Sequence, residues 1–133
     1  MKKLVECVPN ISEGNDQSVI NKIVQTVEKY PGIKLLNVDP GKATNRTVIT
    51  FVGDADIIVD AAFKLISKAK ELIDMRKHFG EHPRMGAVDV CPLIPISGIS
   101  MEETVDLAHK LSERVANELS IPVYCYEYAA KED

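Results

Sequence analysis

Nowhere in this 133-residue chain is there an apolar stretch approaching the ~18 residues that a membrane-spanning helix needs, so no bilayer-crossing segment is expected. Basic residues never run beyond short pairs such as Lys2-Lys3, and the formal net charge is −4, which argues against nucleic acid as the main partner. The short apolar run after Met1-Lys2-Lys3 is broken by Glu6, and nothing marks the chain for export. Cysteines are few and scattered: Cys7, Cys91 and Cys125 are odd in number, far apart and each set in an apolar, strand-like context. A disulfide scaffold or a zinc site would want pairs at short spacing, so these are expected to be small buried hydrophobes in a reducing cytosol. No neighbour singles one out as a nucleophile. Internal repeats, low-complexity stretches and linkers are missing as well. With 45% hydrophobic residues, the expectation is one globular, soluble, cytoplasmic domain.

What is present is an alternation of two periodicities. Residues 3–8 read as a strand, followed by a polar loop from Pro9 to Asn15 and a helix with one apolar stripe at Val19, Ile20, Ile23, Val24 and Val27. Pro31-Gly32 stops that helix. Residues 33–39 and 46–53 read as two strands joined by a turn. A second helix carries its stripe at Ile57, Ile58, Ala61, Ala62, Leu65, Ile66, Ala69, Leu72 and Ile73. Arg76, Lys77 and His78 suit its C-terminus, and Gly80 suits the cap. A strand over 87–94 is closed by Pro92 and Pro95. Ser100-Met101-Glu102-Glu103 is a capping box opening a third helix with Val105, Ala108, Leu111, Val115 and Leu119, and residues 121–127 read as a last strand.

The predicted order is therefore β-α-β-β-α-β-α-β, an α+β chain whose first six elements match the split βαβ, ferredoxin-like motif. Each helix has a single stripe, so the helices are expected on one face of the sheet. Strand alternation sets Glu6 against Val5 and Cys7, Asn37 and Asp39 against Val38, Arg46 and Thr50 against Ile49, and Asp89 against Val88 and Val90. The helix-free face thereby collects polar groups, as a ligand surface or a polar partner would require.

Several short patterns invite chemistry. His78-Phe79-Gly80-Glu81-His82 matches the H-x-x-E-H letters of the inverted zinc peptidases. That chemistry needs both histidines one turn apart on a continuous helix. Gly80 and Pro83 work against such a helix and no third ligand stands at usable spacing, so no metal is expected. Gly41-Lys42 is no phosphate loop: Leu36 stands where its first glycine belongs and Ala43 replaces its hydroxyl. Asn10-Ile11-Ser12-Glu13-Gly14 carries two readings. Its backbone N–H groups, leading into a helix N-terminus, can hold an anion, or Asn10 and Ser12 can simply satisfy turn backbone.

The segment from His78 to Asp89 stands out most. His82 lies between Glu81 and Pro83, Arg84 follows two residues on, and glycines occupy 80 and 86. This is a proton-transfer group beside a fixed cation on a geometrically restrained loop. Asp39 and Arg46 are expected on the sheet face that such a loop would serve. His109, on the third helix, reads as an ordinary solvated position.

These residues also resemble the glutamate formiminotransferases. Leu4-Val5-Glu6-Cys7-Val8-Pro9-Asn10-Ile11-Ser12-Glu13-Gly14 is similar to the family's opening, as is N-R-T-V-I-T-F-V-G from Asn45 to Gly53. Leu72-Ile73-Asp74-Met75, then Gly80-Glu81-His82-Pro83-Arg84-Met85-Gly86-Ala87, continuing through Asp89-Val90-Cys91-Pro92, resembles its catalytic segment. Ile121-Pro122-Val123-Tyr124 is similar to a later strand. The resemblance covers about the whole chain.

It implies transfer of a formimino group from N-formimino-L-glutamate to tetrahydrofolate, the co-substrate, giving 5-formiminotetrahydrofolate and glutamate in histidine breakdown, with no metal. By the same resemblance His82 is the catalytic base, supported by Asp39 and Arg84. Asn10, Ser12, Glu13 and Arg46 are the candidate substrate-binding residues. Phe79 and Cys125 depart from the family's pattern without touching His82. Family members continue past this length into a second subdomain. Residues 1–133 are therefore expected to be most of an N-terminal subdomain, completed as a homodimer or by a separately encoded C-terminal subdomain. The alternative is a non-catalytic, ligand-binding subunit that needs a partner to finish its site.

Overall fold

The computed structural model describes residues 3–76, 87–121 and 123. Strand β1 (Leu4–Cys7) and strand β2 (Asn10–Ile11) are two parts of one run. Both pair antiparallel with β4 (Arg46–Asp54), and the register does not slip between them: Cys7 lies opposite Phe51 and Asn10 opposite Val48. Pro9 makes the break, because it has no N–H for the ladder, while its carbonyl still accepts from the Ile49 N–H at 3.0 Å. On the other side β6 (Leu93–Ser97) pairs with β1 and β5 (Val88–Val90) with β2. The Val8 N–H donates to Pro92 O at 3.1 Å across that gap. β3 (Lys34–Gly41) pairs with the outer side of β4.

Counted as runs, the antiparallel order is β3, β4, β1/β2, β6/β5. This is the ferredoxin-like arrangement. The sequence pattern predicts single strands over 3–8 and 87–94; each is divided at a proline, at Pro9 and at Pro92, and each extends further than predicted. Most of the last predicted strand, over 121–127, lies outside the described residues.

Helix α1 (Gln17–Glu28) starts at Asp16, whose carboxylate accepts from the Ser18 and Val19 N–H groups, and it buries the five stripe residues predicted for it. Helix α2 (Ala55–Arg76) buries Ile58, Ala61, Ala62, Leu65, Ile66, Ala69 and Ile73, with Ile57 and Leu72 half-buried at the margin. Helix α3 (Met101–Leu119) begins with the predicted capping box: Ser100 Oγ accepts from the Glu103 N–H, and the Glu103 carboxylate accepts from the Ser100 N–H. Its stripe differs by one position. Thr104 is buried where Val105 is predicted to be, and its hydroxyl donates to Ser100 O at 2.9 Å, so a polar side chain sits in the core without an unmet group.

Beneath the helices the sheet contributes Val5, Cys7, Ile11, Ile49 and Phe51. Burial along β4 alternates strictly, Thr47, Ile49, Phe51 and Gly53 being covered and the intervening residues only partly so. The described helices therefore cover one face. Cys7 and Cys91 are buried free thiols 3.3 Å apart, in keeping with their reading as small core residues. Contact with Cys7 and burial both push the Cys91 thiol above the ordinary range.

A polar clamp joins the helices on their outer side. The Tyr30 hydroxyl donates to Asp60 Oδ2 at 2.6 Å, Arg114 Nη1 donates to Asp60 Oδ1 at 2.8 Å, and the Arg114 guanidinium stacks 3.8 Å from the Phe63 ring centroid. The Tyr30 hydrogen bond, with help from Arg114 and Lys64 and against partial burial, holds the Asp60 carboxyl below its usual value. A depressed carboxylate stabilises the fold above its unfolded pKa, and that contribution is lost as pH falls through the folded one. Because Asp60 is partly solvated, Asp60→Asn is expected to cost only about 1 kcal/mol at neutral pH. It should also flatten the loss of stability below about pH 4, as read by urea unfolding at neutral and acid pH. An unchanged acid limb would show that the clamp does not couple folding to protonation.

Candidate functional site

Strand register collects polar side chains on the face away from the helices. Residues directly opposite one another in an antiparallel ladder share a face. Asp39 lies opposite Val48, Val48 opposite Asn10, and Asn10 opposite Val90, which makes one row across the sheet. Beside it Asn37 lies opposite Thr50; further along, Lys34 and Glu6 both lie opposite Val52, and Glu6 also opposite Ile94. With strands about 4.8 Å apart, Asp39 and Asn10 stand roughly 10 Å from each other over Val48. Asp39 is exposed. Asn10 is half-buried and its amide donates to Val8 O at 3.3 Å. Arg46, half-buried at the start of β4 opposite Gly41, falls on the same face. The alternation expected for Asp39, Asn37, Glu6, Arg46 and Thr50 is thus present.

β3 reaches that arrangement through an irregularity. Its register against β4 shifts between Leu35 and Asn37, leaving Leu36 as the extra residue. Leu35, opposite Phe51, and Val38, opposite Ile49, therefore both pack toward the core, while Asn37 and Asp39 both face outward.

Ser12 and Glu13 occupy different ground. Both are 7% exposed. The Ser12 N–H donates to Ala87 O at 2.8 Å. Glu13 Oε2 accepts from the Asn15 and Asp16 N–H groups at 3.1 and 2.9 Å, and Glu13 O accepts from the Thr47 hydroxyl at 2.6 Å. The Gly14 N–H donates to Asn45 Oδ1 at 2.9 Å. Side chains other than Asn10 and Ser12 also satisfy backbone in this loop. The N–H groups leading into α1 are engaged by Glu13, Asp16 and Asn45, and an arriving anion would meet two carboxylates. Asn45, which holds this turn from a left-handed backbone (φ 57°), and buried Thr47 are not singled out by the sequence pattern. The available signal was Thr47 itself, a hydroxyl at a core-facing strand position.

Gly14 lets this loop lie on the β3–β4 hairpin. A Cβ there would sit 2.4 Å from Gly41 O and 2.6 Å from Arg46 N. Gly14→Ala is therefore expected to destabilise by about 1–3 kcal/mol and to raise amide exchange at Ser12 and Asn45 before the rest of the sheet. Wild-type stability in the variant would mean that the hairpin yields without cost.

His82, Arg84 and the rest of residues 77–86 lie outside the described residues. The chain enters that segment from α2 and leaves it at buried Ala87, which Ser12 holds. The Gly80 cap and the His78–His82 pattern fall there too. Among the described residues no group of three or more His, Cys, Asp or Glu side chains is placed to hold a metal ion, and no helix is long and apolar enough to cross a membrane. Two open depressions, of about 490 and 450 Å³, lie on the helix side and not at the open sheet face. One is lined by residues including Tyr30, Asp60 and Lys64, the other by residues including Phe63, Lys68 and Arg114.

A ferredoxin-like sheet with one helix-covered face and one polar face that no described helix covers thus brings Asp39, Asn10 and Arg46 to the same surface. Residues 4–133 match the formiminotransferase domain, N-terminal subdomain, and the chain belongs to that family. It is 56% identical to the formimidoyltransferase-cyclodeaminase of Rattus norvegicus over 131 residues, 98% of this chain and 24% of that protein. It is 49% identical to the glutamate formimidoyltransferase of Streptococcus pyogenes, over 98% of this chain and 44% of that one. The glutamate formimidoyltransferase of Thermoplasma acidophilum is 50% identical over 96% of this chain and 42% of its own length. The chain spans less than half of each of these relatives.

Proposed function

We propose that this chain carries the catalytic base of a formimino transfer from N-formimino-L-glutamate to tetrahydrofolate, in the cytoplasm and within histidine breakdown. One observation carries the reading. Nearly the whole chain aligns, at about half identity, both with relatives named for formimidoyl transfer together with cyclodeamination and with relatives named for glutamate formimidoyl transfer alone. Formimidoyl transfer is what those names share.

The chemistry suits the residues. The N5 amine of the reduced folate attacks the amidine carbon of the donor. As that C–N bond forms, His82 takes the N5 proton. The bond from the same carbon to the glutamate nitrogen then breaks, and His82 returns the proton to the departing nitrogen. A histidine can do both because its pKa lies near neutrality. Asp39, exposed over Val48, pairs with the amidinium or steadies the protonated base. Arg84 holds a substrate carboxylate through a two-pronged contact that a lysine cannot copy. Asn10 and Arg46 border the donor on the same face. Ser12 and Glu13 act one step back, fixing the loop that meets Ala87. A second subdomain closes the pocket.

The test is formimino transfer by the chain, alone and with the C-terminal subdomain of the Streptococcus pyogenes relative supplied in trans. Transfer is expected in the wild type and should fall by about 10²–10⁴ in His82→Ala. A folded chain that transfers nothing in either setting would instead be a non-catalytic, ligand-binding subunit. Arg84→Lys is expected to raise KM for formiminoglutamate with the KM for tetrahydrofolate little changed; an unaltered donor KM removes Arg84 from carboxylate binding.

A further inference from the structure

We infer that Asn37 binds the donor: its amide oxygen, set beside Asp39 on the open face by the bulge at Leu36, accepts the amidine N–H that Asp39 leaves unmet. This rests on the formimino-transfer reading and adds a residue to it.

Strict alternation along β3 would put residue 37 on the same side as Leu35, toward the helices. The extra residue at Leu36 reverses the phase, so that Leu35 and Val38 keep their core contacts while Asn37 and Asp39 point outward together. Their backbones stand about 7 Å apart along the strand, within reach of one small planar group. Bulges of this kind re-aim side chains next to functional sites. Asparagine and aspartate are poor strand formers, so two of them in adjacent outward positions weaken the edge they occupy. Both are exposed, and among the described residues neither side chain is held in a hydrogen bond or ion pair. Among the described residues β3 pairs with β4 alone, yet protection of such an edge does not explain Asn37, since Lys34, Pro40 and the bulge itself already discourage pairing with another strand.

The donor supplies the explanation. A protonated formimino group is a flat amidinium with one N–H on its inner nitrogen and two on its outer one. A carboxylate accepts two of these in parallel. The third points aside and needs another acceptor next to the first. An amide oxygen fills that place without a second negative charge, which would raise the proton affinity of Asp39.

The experiment is a titration of the ¹⁵N-labelled chain, alone and with the second subdomain supplied as above, using N-formimino-L-glutamate and, separately, glutamate, which lacks the amidine. In the wild type the Asn37 side-chain NH₂ signal is expected to move with formiminoglutamate only. Asn37→Ala should weaken formiminoglutamate binding about 10-fold and leave glutamate binding unchanged. Asn37→Val, which favours a strand and lacks the acceptor, should do the same and serves if the alanine variant folds poorly. Wild-type affinity in both variants, or equal weakening toward both ligands, overturns the inference while leaving formimino transfer intact. A wild type that neither binds nor transfers removes the function and this inference together.

Discussion

The pairing of β4 with the split run β1/β2 decides what every other part of the molecule can do. Side chains on a strand alternate faces, so a slip of one residue exchanges the whole buried set for the exposed one. In the observed register Ile49 and Phe51 meet Val5, Cys7 and Ile11 in the core, and Val48, Thr50 and Val52 line the other face with Asn10 and Glu6. The hydrophobic requirement is strong enough to hold this register across Pro9, where a ladder donor is missing. The polar row therefore inherits its geometry from the core behind it. Asp39 and Asn10 face each other across Val48 because Ile49 and Phe51 cannot be anywhere else.

Around that row the less regular parts are tied back to the sheet by side chains and not by the ladder. Glu13 engages two N–H groups of its own turn, Thr47 reaches up from the core to Glu13 O, and Asn45 reaches across from the β3–β4 turn to Gly14. Ser12, at the head of this loop, holds Ala87, where the chain returns from the segment that includes His82 and Arg84. Buried polar contacts of this density cost stability if any member is lost, because each leaves an unmet group behind. They have a positional use in return: the exit of the histidine segment is fixed to the strand that bears Asn10.

Much of this was legible in the sequence, and the misses have causes. The stripes of α1 and α2 and the capping box at Ser100 were readable because they are local and periodic. Only the first member of the α3 stripe differs, because Val105 is the more hydrophobic choice, whereas Thr104 is accepted in the core by donating its hydroxyl to Ser100 O. The strand divisions at Pro9 and Pro92 leave the register intact, so the hydrophobic pattern does not record them. Asp39 could be assigned to the helix-free face, whereas Asn10 was read as part of a loop; their sharing a row depends on the pairing of three strands and the bulge at Leu36. No local pattern states such a fact. The Tyr30–Asp60–Arg114 clamp escaped for the same reason, since its members are brought together by the packing of α2, α3 and the turn that follows α1. His82 and Arg84 are singled out by motif and residue chemistry, and they lie outside the described residues.

On the formimino-transfer reading, the open face also sets a requirement that it cannot meet alone. Its floor alternates apolar residues such as Val48 and Val52 with polar ones such as Asn10 and Thr50, and most of these are only half-buried. A formimino group is an activated carbon that water can attack as well as an amine can. A folate amine must be held against that carbon in a productive pose, and misplacement by about 1 Å can cost on the order of 100-fold. Both demands call for a second surface over the sheet that excludes water and grips the far end of the folate. The relatives named glutamate formimidoyltransferase are more than twice as long as the segment they share with this chain, which is room enough for such a surface. A divided site of this kind assigns the two halves different work. On that reading this chain would contribute the groups that handle the amidine, and the covering half exclusion of water and grip on the co-substrate.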